Sequence, residues 1–219
     1  MTLRIAVLIS GRGSNLRSIQ GAIDDGLCDA RIVSVISDRA SAAGLQFAAE
    51  RGLPTSVVSM RDHADRSAWD VALTHKVAEL DPELVVLAGF MRVVGAPLLQ
   101  RFVRRIINVH PALLPLFPGT NGPEQALAAG VRVSGCTVHI VDAGVDTGPI
   151  IAQGVVRVLP TDTVEALHER IQHAEHGLLP RVVDGISRGA ITLDPEVRVP
   201  GAIDDGSVMF APLLRTGRS

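Results

Sequence analysis

The chain has 219 residues, 47% hydrophobic but only 3% aromatic, so aliphatic side chains must fill a core large enough for one α/β domain. A formal net charge of −2 at pH 7 points to neither nucleic acid nor an anionic membrane as a partner, and Lys76 is the one lysine among 21 basic residues, a bias of composition and not a phosphate signature. Cys28 and Cys136 are too few for a disulfide framework, no apolar run approaches the ~20 residues of a membrane span, and the N-terminus lacks the parts of a signal peptide, all of which fit a reducing cytoplasm.

Leu3 to Ile9 is short, almost wholly apolar and followed by glycine, the pattern of a parallel strand buried on both faces. Gly11-Arg12-Gly13-Ser14-Asn15 comes next, then a helical pattern through Leu16, Ile19 and Ile23. A strand, a glycine turn and a helix start bring free N–H groups and the helix dipole together as an anion site. Ser14 or Asn15 is placed to cap that helix. Leu16 stands where the dinucleotide fingerprint has its third glycine, which favours a monophosphate over a pyrophosphate. Arg31 to Ser37 reads as a second strand, Ala40 to Arg51 as a helix ended by Gly52, and Thr55 to Val58 as a short strand. Arg66 to Leu80 is helical, with Trp69, Leu73, Val77 and Leu80 on one stripe, and Asp81-Pro82 stops it. Leu84 to Ala88 is another buried strand, followed by the turn Gly89-Phe90-Met91-Arg92. Arg101, Arg104 and Arg105 read as a solvated helix face.

Asn108 and His110 lie two apart on a short strand, which puts both side chains on one face, and Pro111 ends the pairing. An amide and an imidazole thus stand together at a strand end, where open α/β sheets place their ligands and where both groups can serve a developing oxyanion. Gly135 to Val141 is a strand, Asp142 to Pro149 a loop with two Asp and two Gly, Ile150 to Val158 a strand, and Thr163 to Arg188 a long helix ended by Gly189. His168, His173 and His176 lie on that helix, but the five-residue step from His168 to His173 leaves them off a common face, so no metal site is expected. The alternation of strands and helices predicts a doubly wound, mostly parallel sheet with helices on both faces. It fills a single domain over 1–200, divided into a nucleotide-phosphate-binding half (1–100) and a catalytic half (101–200), with 201–219 as a tail.

Three stretches in this order carry a resemblance: Gly-Arg-Gly-Ser-Asn at 11–15, Asn-Val-His-Pro-Ala-Leu-Leu-Pro-Leu-Phe-Pro-Gly at 108–119, and Asp-Ala-Gly-Val-Asp-Thr-Gly-Pro at 142–149. Together they resemble the folate-dependent formyltransferases over roughly residues 3 to 190, in the branch that acts in purine synthesis. The resemblance implies transfer of the formyl group of 10-formyltetrahydrofolate to the amine of glycinamide ribonucleotide, without a metal. It implies catalysis by Asn108, His110 and Asp146, the carboxylate raising the pKa of the His110 imidazole so that it carries charge beside an oxyanion. Gly13, Ser14, Asn15 and Glu175 are then the ribonucleotide-binding residues. Arg66, Met91, Arg92, Val93, Val94 and Asn108 are the folate-binding ones. A homodimer is compatible with all of this.

The pattern departs from many relatives after Gly119, where a histidine is common and this chain reads Thr120-Asn121-Gly122-Pro123-Glu124; Asn121 can hydrogen-bond there but not titrate. Methionyl-tRNA formyltransferase shares the later motifs but lacks the glycine-rich opening and adds a tRNA-binding domain. Formyltetrahydrofolate hydrolase adds a regulatory domain before the core. A non-catalytic nucleotide sensor on the same sheet has no need of the Asn108, His110 and Asp146 set.

Overall fold

In the computed structural model, which describes residues 2–199 and 209–210, one sheet runs through both halves of the chain. Its strands are β1 (Leu3–Ile9), β2 (Ala30–Ser37), β3 (Thr55–Val57), β4 (Leu84–Leu87), β5 (Ile106–His110), β6 (Val133–Ile140), β7 (Ile150–Arg157) and β8 (Met209–Phe210), in the order β3-β2-β1-β4-β5-β6-β7-β8. The first five are parallel, and β5 to β8 pair antiparallel. Helices α1 (Ser14–Asp24), α2 (Ala43–Glu50), α3 (Arg66–Ala78), α4 (Ala96–Arg101), α5 (Gly122–Ala128) and α6 (Val164–Ser187) complete the fold.

The strand period of two divides β1 between two cores. Ile5, Val7 and Ile9 pack with Leu16 and Ile19 of α1 and with Leu178, Leu179 and Val182 of α6. Ala6 and Leu8 pack on the other face with Trp69, Leu73 and Val77 of α3 and Leu98 of α4. β4 is apolar throughout, and β1 is apolar but for Arg4 near its start, as burial on both faces requires. The chain leaves β1 for β2 on one side and reaches β4 on the other, so the loops after β1 and β4 diverge and open a crevice at the carboxyl ends of the strands.

The ends of α3 and α6 follow local chemistry. Asp65 caps α3 through the Ala68 amide at 2.8 Å, and the Thr163 hydroxyl caps α6 through the Ala166 amide at 3.2 Å. The caps expected at the start of α1 are absent: Gly13, with φ 72, is its N-cap, and neither Ser14 nor Asn15 caps it. α2 begins at Ala43, three residues later than the periodicity suggests. α5 carries no strong periodicity in its seven residues, and only the structure shows it. The three arginines are not one helix face, because α4 ends at Arg101. Arg101 and Arg105 instead lie over the Phe102 ring at 5.3 and 5.2 Å, and Arg104, with φ 57, reaches back to the Leu193 carbonyl at 2.5 Å. Of the expected tail at 201–219, all but the two residues of β8 lie outside the described residues.

Candidate active site

A cleft of about 510 Å³ opens over the carboxyl ends of β4 and β5. Its walls come from the turn after β4 (Met91, Arg92, Val93, Val94), the loop and helix after β5 (Gly119 to Glu124) and the loop before β7 (Asp142 to Asp146), and Asn108, His110 and His139 line it as well. A cleft of this size, with apolar walls and a few converging polar groups, suits an extended organic ligand.

Asn108 and His110 project from one face of β5, as their spacing predicts. Antiparallel pairing sets His139 of β6 directly opposite Asn108. The His139 Nδ1–H donates to the Ile140 carbonyl at 2.9 Å, which turns the Nε2 edge of the ring toward Asn108. Asn108 Nδ2 donates to that nitrogen at 3.2 Å, so its second N–H remains uncommitted. The His110 ring lies between two acceptors. Nε2 is 2.8 Å from the Phe117 carbonyl and Nδ1 is 3.3 Å from Asp146 Oδ2, an arrangement a doubly protonated ring satisfies at both ends. Asp146 Oδ1 lies 3.5 Å from His139 Nε2.

One carboxylate thus faces two imidazoles and accepts the Gly119 amide at 2.8 Å. Burial pushes the Asp146 carboxyl upward, but the contact with His139, the Gly119 amide and the charge that His110 can carry outweigh it and hold it below the ordinary carboxylate range. Asp146 has φ 54, a left-handed conformation that Asp tolerates better than most residues. Asp142 shapes the same loop by accepting from the Gly144 amide at 3.0 Å and the Thr147 hydroxyl at 2.7 Å. Thr137 holds the opposite loop: its hydroxyl donates to the Ala112 carbonyl at 2.7 Å and accepts from the Leu114 amide at 3.0 Å and from Gln153 at 3.1 Å.

Met91, Arg92, Val93 and Val94 all border the cleft, but in different ways. Met91 and Val93 are exposed, whereas Val94 is buried in the core. The Arg92 guanidinium turns away to Asp38 at 2.8 Å. Arg66 does not line the cleft. Its Nε lies 3.0 Å from both Asp70 oxygens, and its Nη2 donates to the Val93 carbonyl, so it clasps the turn from behind.

Gly13, Ser14, Asn15 and Glu175 form a second group beyond the cleft, where α1 meets α6. Among the described residues, the amides of residues 12 to 15 have no backbone or side-chain acceptor, as an anion-binding helix start requires. Gly13 is held against Gly44 at the start of α2; a Cβ on Gly13 would lie 2.8 Å from the Gly44 Cα. Asn15 Nδ2 donates to Glu175 Oε2 at 2.9 Å inside the α1–α6 contact. Burial pushes the Glu175 carboxyl up to about 7, with the Asn15 hydrogen bond opposing it, and Asn15 Oδ1 is buried with no partner among the described residues.

His139 and Thr137 are the residues that sequence reasoning missed. Each is a buried polar side chain within the otherwise apolar stretch 135–141, the one signal that could have marked it. Among the described residues no group of three or more His, Cys, Asp or Glu side chains is arranged to hold a metal ion.

The family described as formyl transferase matches residues 3–183. The chain is 50% identical over 191 residues to the phosphoribosylglycinamide formyltransferase of Mycobacterium tuberculosis, covering 87% of each. It is 47% identical over 197 residues to the trifunctional purine biosynthetic protein adenosine-3 of Drosophila pseudoobscura pseudoobscura, and there it spans only 14% of the relative's length. Among solved structures, glycinamide ribonucleotide transformylase 1 from Symbiobacterium toebii superposes with a TM-score of 0.87 at 44% identity, covering 90% of this chain and 94% of that one.

Proposed function

Because the chain belongs to the formyl transferase family, we propose that it transfers the formyl group of 10-formyltetrahydrofolate to the amine of glycinamide ribonucleotide in purine biosynthesis. The observation that carries this reading is the meeting of Asn108, His110, His139 and Asp146 at one side of a single cleft. As an amine adds to a formyl carbon, the carbonyl oxygen gains negative charge. Asn108 donates its free N–H to that oxygen, and His139 fixes the amide in the orientation that does so. His110, held by Asp146 and the Phe117 carbonyl, places positive charge beside the same oxygen. Asp146 keeps that charge in place without itself taking a proton, because its carboxyl is held low. The oxyanion then collapses, the bond from the formyl carbon to the folate nitrogen breaks, and water in the open cleft carries the amine's proton to that nitrogen.

The folate lies along the turn Met91 to Val94, with Arg66 supporting that turn from behind. The ribonucleotide phosphate sits on the amides of Gly13, Ser14 and Asn15, and Glu175 accepts from a ribose hydroxyl. The reaction runs in the cytoplasm on this reading; among the described residues no helix is long and apolar enough to cross a membrane.

The test is the appearance of tetrahydrofolate by absorbance, with 10-formyltetrahydrofolate present and glycinamide ribonucleotide either added or omitted. Product that depends on the ribonucleotide is expected. Equal release without it would make the enzyme a hydrolase and overturn the assignment.

A further inference from the structure

Ser10 is the first residue past β1, immediately before the glycine turn, and it is only 4% exposed. Its amide donates to the Gly89 carbonyl at 3.1 Å, which carries the β1–β4 ladder one step beyond the strands. Its hydroxyl accepts from the Met91 amide at 2.8 Å. Between those two contacts Gly89 takes φ 78, so the chain turns sharply out of β4. The rest of the turn is fastened from outside, Arg92 to Asp38 and Val93 to Arg66. At Met91 the Ser10 hydroxyl is the only protein acceptor of the backbone amide among the described residues.

We propose that Ser10 is a positioning residue for folate: its hydroxyl sets where the Met91–Val94 wall of the cleft stands. This rests on the reading that folate lies along that wall. The hydroxyl touches neither reacting group. Its removal frees the Met91 amide to turn toward water and lets Met91 and Val93, the two exposed apolar side chains of the wall, leave their places. The glycine turn that starts at Gly11 keeps its own contacts, including the Gly44 amide to the Gly11 carbonyl at 3.0 Å.

The experiment is steady-state kinetics of the full chain with each substrate varied in turn, for Ser10→Ala, Ser10→Thr and Val93→Asp. Losing one neutral hydrogen bond predicts a folate KM raised roughly fivefold in Ser10→Ala. The ribonucleotide KM and kcat should stay at wild-type values, and Ser10→Thr, which keeps the oxygen, should restore the folate KM. General destabilisation would instead lower kcat and treat both substrates alike. An unchanged folate KM in Ser10→Ala, or an equal rise for both substrates, overturns the proposal. Val93→Asp separates this from the underlying placement. If Val93→Asp raises the folate KM while Ser10→Ala does not, only the role of Ser10 falls. If Val93→Asp leaves the folate KM unchanged, folate does not lie on this wall and both readings fall.

Discussion

Asn108 has one amide hydrogen on His139 and one to give, and that division predicts the signature of its loss. Asn108→Ala should lower kcat by roughly a hundred- to a thousandfold while leaving both KM values nearly intact, because the charged oxygen exists only after attack. A loss confined to KM would make Asn108 a ground-state binder. Asp146 calls for a different test, because its contacts are of two kinds, two imidazoles and the Gly119 amide. Its depressed carboxyl pKa means the negative charge is present above the ordinary Asp range and persists until pH falls below it. The charge is therefore complete at neutral pH, where it favours protonated imidazole. Asp146→Asn should lower kcat and move the alkaline limb of the rate profile to lower pH, a limb that belongs to the coupled group and not to one residue. If kcat falls but the limb stays, Asp146 acts only by shaping the loop at Gly119. Asn108 and His110 could be placed side by side from the sequence because a strand's period is local, whereas Asp146 was joined to them only through the family resemblance. His139 was not legible, because its place opposite Asn108 follows from the antiparallel register of β5 and β6, two strands separated by more than twenty residues.

At the scale of elements, the legible parts were those with a complete local grammar. β1 is apolar but for Arg4 and β4 is apolar throughout, α3 has its stripe, and α6 has its Thr163 cap. The switch to antiparallel pairing after β5 left no comparable mark, since an alternating or apolar strand does not declare the direction of its neighbour. The glycine turn shows the same limit. A turn with free amides could be read from residues 11 to 15, but not the packing of Gly13 against Gly44, which joins the starts of α1 and α2. That contact makes Gly13 unsuitable for isolating phosphate binding, because a side chain there meets both a left-handed φ and the Gly44 backbone. Gly13→Ala should lower the denaturation free energy by about 1–3 kcal/mol, from backbone strain and overpacking together. Chemical denaturation checks this, and unchanged stability would mean that α2 can move away without cost. Gly21→Ala in α1, where a Cβ meets nothing within 4 Å, is the control and should be neutral or slightly stabilising.

Across the whole molecule, α1 and α6 are joined through a buried carboxylate that a purely structural contact would not need. Glu175 is 5% exposed, its charged form is disfavoured by burial, and among the described residues its one hydrogen-bond partner is the Asn15 amide. In the unfolded chain a Glu titrates near 4.5, and in the fold near 7. Between those values the folded state holds more protons, so stability falls as pH rises across the window, and above about 7 the fold bears the whole cost of a buried charge. Glu175→Gln keeps an oxygen for Asn15 and removes the titration. At pH 5, just above the unfolded value, the variant should be the more stable by only about 1 kcal/mol. At pH 8 the variant should be the more stable, by on the order of 3 kcal/mol. His176 on the same helix is pushed the other way, its imidazole pKa lowered by burial and by His173, but it is common to both proteins and largely cancels in the comparison. The gain should be accompanied by a loss: if the ionised carboxylate accepts from the ribose, Glu175→Gln raises the ribonucleotide KM and leaves the folate KM alone, so that stability and function move in opposite directions. Urea denaturation at pH 5 and pH 8 decides the first half, and an equal difference at both would show that Glu175 is already ionised throughout. Kinetics with each substrate varied decide the second. A variant that is more stable at pH 8 and binds the ribonucleotide as well as before would leave the buried carboxylate with no part in binding.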